Sequence, residues 1–153
     1  MSSLELKIPP VIVFLVAALG LYFTPIVGTY SMILGSYIKV ISIAVLFIAI
    51  FIGVLGVITF KKAKTTVHPV NITKTSSLVT NGIFSYSRNP MYLAMALVIV
   101  SMSIHTNNVL SLLWVLPYCA FITQFQIKPE EKMLLSLFNQ DYVQYMSSVR
   151  RWL

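Results

Sequence analysis

The chain has 153 residues, of which 58% are hydrophobic and only 10% charged, with a mean hydropathy of +0.85. A soluble domain of that length cannot enclose so much apolar surface, so a lipid bilayer is the expected solvent. The net charge of +7 would suit nucleic acid in a soluble protein. Here the bases flank apolar runs and read as topology and lipid-headgroup signals instead, and the single cysteine, Cys119, excludes an internal disulfide.

In chain order, Pro9 and Pro10 precede an apolar run from Val11 to Val27, closed by Gly28. At about 1.5 Å per residue this run just crosses a hydrocarbon core of about 30 Å. Lys7 is balanced by Glu5 and no small-residue cleavage site stands out, so the run is read as a retained helix rather than a secretory leader. Val40 to Phe60 is the second span, with Ala49 and Gly53 spaced for close helix contact. Met91 to Ile104 is apolar but short. Asn107 to Ile127 is a full-length run interrupted by Pro117, which predicts a kink. The brief linker from His105 to Asn108 predicts that these last two spans form an antiparallel hairpin.

Lys61, Lys62, Lys64, Lys74 and Arg88 lie between the second and third spans, and Lys128, Lys132, Arg150 and Arg151 follow the fourth. Residues 28–36 and 105–108 carry no charge, taking His105 as neutral. The positive-inside rule then predicts four crossings of a cytoplasmic membrane, with both termini and the 61–90 segment in the cytoplasm. Beyond the fourth span, Pro129 suits a first helical turn, and Glu130 and Glu131 complement its dipole. Leu134, Leu135, Phe138, Tyr142, Tyr145 and Val149 recur at helical spacing, which predicts an amphipathic helix at the cytoplasmic face. The expected fold class is an all-α membrane protein: about four transmembrane helices, the last two a hairpin, plus a cytoplasmic amphipathic C-terminal helix. Residues 1–153 form a single integral-membrane domain, with two spans in 1–60 and the chemistry in 61–153.

Carboxylates are scarce, four in the whole chain: Glu5, Glu130, Glu131 and Asp141. The adjacent pair either complements a helix dipole or receives a cationic group. Asn81-Gly82 is a tight-turn signal flanked by Val79 and Ile83-Phe84, the pattern of a surface hairpin. Asn89 is a good N-cap and Pro90 a good first helical residue, so a helix starts at about Met91. Its free N–H groups favour an anion, and Arg88 adds a fixed positive charge; alone, Arg88 equally suits snorkelling to lipid phosphate. Brought together, these residues would hold a carboxylate at Arg88, an ammonium or ribose hydroxyls at Glu130 and Glu131, and a flat base against Phe84, Tyr86 and Tyr92. S-adenosylmethionine is one ligand of that kind. No metal ligation is read from the pattern.

The stretch LVTNGIFSYSRNPMYLA, a span, then EEKMLLSLFNQDYVQY and a terminal VRRWL resembles the isoprenylcysteine carboxyl methyltransferase and phospholipid methyltransferase superfamily of integral-membrane enzymes, over roughly residues 61–153. The matching features are an Arg-His/Asn-Pro-x-Tyr box, a helical hairpin, a Glu-Glu pair and a Phe-Gly-x-x-Tyr-x-x-Tyr helix. The resemblance implies methyl transfer from S-adenosylmethionine, bound on the cytoplasmic side, to a lipophilic or membrane-embedded small acceptor. Carried over by position, cofactor contacts fall on Ser76, Ser77, Leu78 and Val79, on Phe84, on Asn89, Pro90, Met91 and Tyr92, on Glu130, and on His68. Asn89 stands where eukaryotic members carry histidine, and Asn139 where the family has a glycine, which bears on the bend there. Gln126 stands where eukaryotic members carry an arginine that contacts the substrate carboxylate. Gln126 is thus the candidate substrate contact, and it argues against a prenylcysteine carboxylate as acceptor. A sulfonium methyl needs in-line approach more than acid–base help, so no catalytic residue is named. The sequence gives neither the acceptor nor the oligomeric state.

Two other classes fit the composition. A membrane sterol or enone reductase would share the C-terminal hairpin and use a nicotinamide dinucleotide, but no further basic cluster is present for its phosphates. A small four-helix transporter or assembly subunit would usually carry an ionisable residue inside a span, whereas Lys39 and the glutamates lie only at boundaries.

Overall fold

Helices fill the apolar runs of this chain, and their ends fall at the local breakers. The computed structural model describes residues 5–63 and 78–153, less the side chains of Met32 and Ile33. The described residues contain no strand. In order they form α1 (Pro10–Phe23), a single turn α2 (Ser31–Leu34), α3 (Ile38–Lys62), α4 (Pro90–His105), α5 (Val115–Ile122) and α6 (Lys128–Ser148). Proline opens α1 and α4, where its missing N–H removes no intrahelical bond, and stands second in α6.

Two helical runs are long and apolar enough to cross a membrane, Gly35–Lys62 and Leu110–Ser148. With 14 and 16 residues, α1 and α4 extend only about 21 and 24 Å, against a core of about 30 Å. The first expected span ran to Val27, but α1 stops at Phe23 because Thr24 is extended, as a residue before proline prefers.

The main packing is α3 against α4, and α1 and α5 pack on α4 and on each other. Small residues allow the close approach: a Cβ on Gly56 would lie 3.0 Å from Met91 Cγ, and one on Gly53 3.4 Å from the Cβ of Ala94. Ala17, Leu21, Tyr92, Ala96, Ile99, Tyr118, Ile122 and Ile127 form the core. The outer faces of α1 and α3 expose Leu19, Phe23, Phe47 and Phe51, an apolar surface suited to lipid.

The connection from α4 turns at Asn107, which has φ 54, and a 3₁₀ segment, Leu110–Trp114, leads into α5. Pro117 was expected to kink a helix. It falls in the first turn of α5, just after the 3₁₀ segment, where it breaks no α-helical bond. The irregularities lie further on. Thr123–Ile127 widens to a π-helical turn, which bridges α5 and α6 without the expected break between span and surface helix. Pro129 cannot donate to the carbonyl four residues before it, that of Phe125. The N–H of Leu6 takes that carbonyl at 3.0 Å instead, so the N-terminal segment is tied to the widened turn.

The second irregularity is Asn139, with φ 43 and ψ −116 inside α6. This is a glycine-favouring backbone held by an asparagine, at the position where the resemblance implies a glycine. The tight turn read at Asn81-Gly82 is present as a 3₁₀ turn, Gly82–Ser85, laid against the end of α3, rather than as a surface hairpin. Gly82 has φ +60, and a Cβ there would lie 3.2 Å from Thr59 Oγ1. Phe84 sits edge-on to Phe60, with ring centroids 4.9 Å apart.

Candidate functional site

The first turns of α4 and α6 meet at one end of the bundle, the glutamate end. Tyr92, in the first turn of α4, donates its hydroxyl to Glu130 Oε1 at 2.6 Å. Tyr118 of α5 donates to the Tyr92 carbonyl at 3.2 Å and braces that turn. The Glu130 carboxyl is enclosed, although the residue keeps some exposed surface. Burial pushes its pKa up to about 7; the Tyr92 hydrogen bond opposes the rise and the Glu131 charge adds to it. Such a carboxyl holds a proton near neutrality and releases it when a cation arrives.

Glu131 lies about 100° further round the helix and meets different partners. Arg151 grips it with two bonds, Nε to Oε1 at 3.0 Å and Nη2 to Oε2 at 2.7 Å. Arg88 Nη2 lies 3.3 Å from the same Oε1. Two cations on one carboxylate leave a positive charge over. The Arg88 side chain is only 10% exposed, and among the described residues its Nε and Nη1 are buried outside hydrogen-bond geometry, with the Tyr142 hydroxyl as the neighbouring polar group. Unfilled donors on a buried guanidinium are expensive, and they match the geometry of a carboxylate or phosphate.

The segment after α6 closes this end. The Arg150 carbonyl accepts the Arg88 N–H at 3.0 Å, and the Arg151 carbonyl accepts Asn89 Nδ2 at 2.9 Å. Trp152 donates its indole N–H to Thr123 Oγ1 at 3.2 Å. Tyr145 donates to the Phe84 carbonyl at 2.6 Å, which ties α6 to the loop before α4. Asn89 occupies the N-cap position of α4, yet its side chain makes no capping bond. It is turned toward Arg151, while its own N–H is taken by Ser87 Oγ at 3.2 Å.

Of the sequence candidates, Arg88, Asn89, Pro90, Tyr92, Glu130 and Glu131 therefore come together here. Phe84 is buried beside them with its ring on Phe60, and Val79 is buried and Leu78 half-buried ahead of it. Met91 turns away toward Gly56 of α3. Tyr86 is 75% exposed. Gln126 is buried, and its Nε2 donates to the Ile8 carbonyl at 2.6 Å, so its amide holds the N-terminal segment. His68, Ser76 and Ser77 lie outside the described residues.

Sequence reasoning missed Arg151, Tyr118 and Trp152. Arg150 and Arg151 read only as topology signals, and the one available clue was arithmetic: 11 cations compete for four carboxylates, so an arginine near Glu131 had reason to bind it.

The family model for phospholipid methyltransferases matches residues 23–141, from the end of α1 to just past the bend in α6. The chain belongs to the phospholipid methyltransferase family. Members of that family are methyltransferases, and the two long apolar runs agree with association with a membrane. The match contains Arg88, Tyr92, Glu130 and Glu131, whereas Tyr142, Tyr145 and Arg151 lie beyond it. A further comparison finds 63 residues, 41% of the chain, that are 40% identical to the whole of an uncharacterized protein of Haemophilus influenzae.

Proposed function

We propose that this methyltransferase binds S-adenosylmethionine at the glutamate end and methylates a lipophilic acceptor drawn from the bilayer. The observation that carries the reading is the polarity of the site. Arg88 presents buried, unfilled donors beside the start of α4, and Glu130 presents an enclosed carboxyl. A zwitterionic amino-acid group is matched by that pair of charges.

When bound, S-adenosylmethionine supplies a methyl group already activated as a sulfonium. The residues of the chain bind, orient and exclude water. Arg88 and the first N–H groups of α4 attract a carboxylate, and Glu130 attracts an ammonium or a ribose hydroxyl. Tyr92 fixes the direction of Glu130, while Glu131 and Arg151 fix Arg88. Closure by Trp152 and the segment around it keeps water from the site. His68, Ser76, Ser77, Leu78, Val79, Asn89, Pro90 and Met91 complete the proposed cofactor contacts through the family resemblance. With its amide engaged by Ile8, Gln126 offers no ion pair to an acceptor, which supports a substrate other than a prenylcysteine carboxylate.

The proposed topology has four crossings with both termini in the cytoplasm. Cysteine labelling checks it: Ser31→Cys should react from outside and Ser148→Cys only from inside.

Calorimetry with S-adenosylmethionine on the purified protein in detergent tests the cofactor. Saturable binding is expected, and Glu130→Gln should weaken it ten- to hundred-fold, the value of a charge-assisted hydrogen bond of about 1.5–3 kcal/mol. Unchanged affinity in that variant would return Glu130 to a helix-start charge. Binding of a nicotinamide dinucleotide in place of S-adenosylmethionine would favour the reductase reading.

A further inference from the structure

A groove of about 720 Å³ runs between α1 and α3 over the face of α4. Its walls are apolar, from Ala49 and Val98 in mid-bundle to Val11, Ile58 and Met91 near the glutamate end, and its single charged wall residue is Lys61. Along α3, Ala49 to Lys61 spans about 18 Å at 1.5 Å per residue, the reach of one long hydrocarbon chain. Among the described residues, no carboxylate pairs with Lys61, and Lys62 follows it. Met91, in the groove wall, immediately precedes Tyr92, whose hydroxyl holds Glu130. The apolar trough therefore ends beside Lys61, and its Met91 wall is next in sequence to the residue that holds Glu130.

We propose that this groove holds the single apolar chain of an anionic amphiphile, with its negatively charged headgroup beside Lys61. The inference concerns a lipid site and stands apart from the cofactor reading. Apolar burial along the groove supplies affinity for any long chain. Lys61 supplies the preference for a negative headgroup, about five-fold for one cation near a membrane surface. The open side of the groove, between two helices with lipid-facing surfaces, admits the chain sideways from the bilayer.

Photo-crosslinking tests this. The purified protein in phosphatidylcholine nanodiscs is exposed to two probes with the same diazirine-bearing 16-carbon chain, one a lysophosphatidylglycerol and the other a lysophosphatidylcholine. Labelled peptides are mapped by mass spectrometry, and S-adenosylmethionine binding is measured in parallel. The expected result is labelling of the groove faces of α3 and α4, several-fold stronger for the anionic probe. Lys61→Gln should remove that preference without reducing labelling by the neutral probe. Val54→Trp, which fills the groove from a half-exposed position, should reduce labelling by both probes, with cofactor affinity unchanged. Equal labelling over the outer face of α3, around Phe47 and Phe51, would overturn the groove. An anionic preference that survives Lys61→Gln would overturn the headgroup assignment. Specific groove labelling in a protein that fails to bind S-adenosylmethionine would leave the lipid site standing and remove the methyltransferase cofactor.

Discussion

At the end of the bundle that holds the α4–α5 turn, every buried polar side chain among those described has a neutral partner. Ser111 Oγ lies 2.7 Å from the Asn108 carbonyl and 2.8 Å from Ser103 Oγ. Asn108 Nδ2 donates to the carbonyls of Thr24 and Pro25 at 3.0 and 3.4 Å, and its Oδ1 accepts the Leu110 N–H at 3.1 Å. Tyr30 meets Ser103 at 3.1 Å, and the Trp114 indole donates to Thr24 Oγ1 at 2.8 Å. At the glutamate end the groups are charged, one guanidinium keeps two unfilled donors, and one carboxyl is held near its titration point. A saturated neutral network specifies a turn between helices and has nothing left to offer a ligand. An unsaturated charged one destabilises the empty protein and stores binding capacity. The difference sets the glutamate end apart as the candidate site without reference to any relative.

The largest test of that contrast is Glu131→Gln. Removing the carboxylate leaves Arg88 buried beside Arg151 with no counter-charge, which should lower stability by about 3–5 kcal/mol, read as a fall in the thermal midpoint in detergent. A change of a few tenths would mean that the arginines find water, and that the end is less enclosed than its geometry says.

Titration of Glu130 comes next. Its folded pKa of about 7 lies above the ordinary 4.5, so the folded state holds a proton that the unfolded state gives up. That contribution is complete below about pH 4.5 and is lost as pH rises to 7, roughly 3 kcal/mol in all. Glu130→Gln should flatten the difference in denaturation free energy between pH 5 and pH 8. Bound S-adenosylmethionine should reverse it, because a cation favours the ionised form, and its affinity should rise with pH over the same window.

At the saturated end, Asn108→Ala leaves the Thr24 carbonyl and the Leu110 N–H without their partner, for a loss of about 1–3 kcal/mol. Cofactor affinity should not change; if it falls, the two ends are coupled and the division between them fails. The smallest effect concerns the bend. Asn139→Gly relieves a positive-φ asparagine and should raise stability by about 1 kcal/mol, reduced by the greater freedom of glycine in the unfolded chain. A loss of stability would show that the asparagine side chain holds the bend in place.

Much of the architecture was legible because it is local. Apolar runs, the prolines that open α1 and α4, and the shortage of carboxylates are properties of neighbouring residues, and they were enough to mark Arg88, Tyr92 and Glu130 as one site. Local signals also misled where a tertiary contact supplied what a breaker removed. Pro129 stands in the first turn of α6 as its sequence suggests, but no break precedes it, because a π-helical turn and the N–H of Leu6 absorbed the lost bond. Asn139 kept a glycine backbone that no propensity assigns to it.

The sequence by itself determined a helical, lipid-facing chain with its ionisable groups gathered near residues 88 and 130, since hydropathy and helix-start chemistry act within a few residues. Only the tertiary structure decided which carboxylate faces which cation. Arg151 reaches Glu131 across 20 residues and Gln126 reaches Ile8 across 118, and pairings at such separations leave no periodic trace in a sequence. They exist because burial in a shared interior forces charged and polar groups to find partners, and among the described residues Arg88 keeps two donor atoms outside hydrogen-bond geometry.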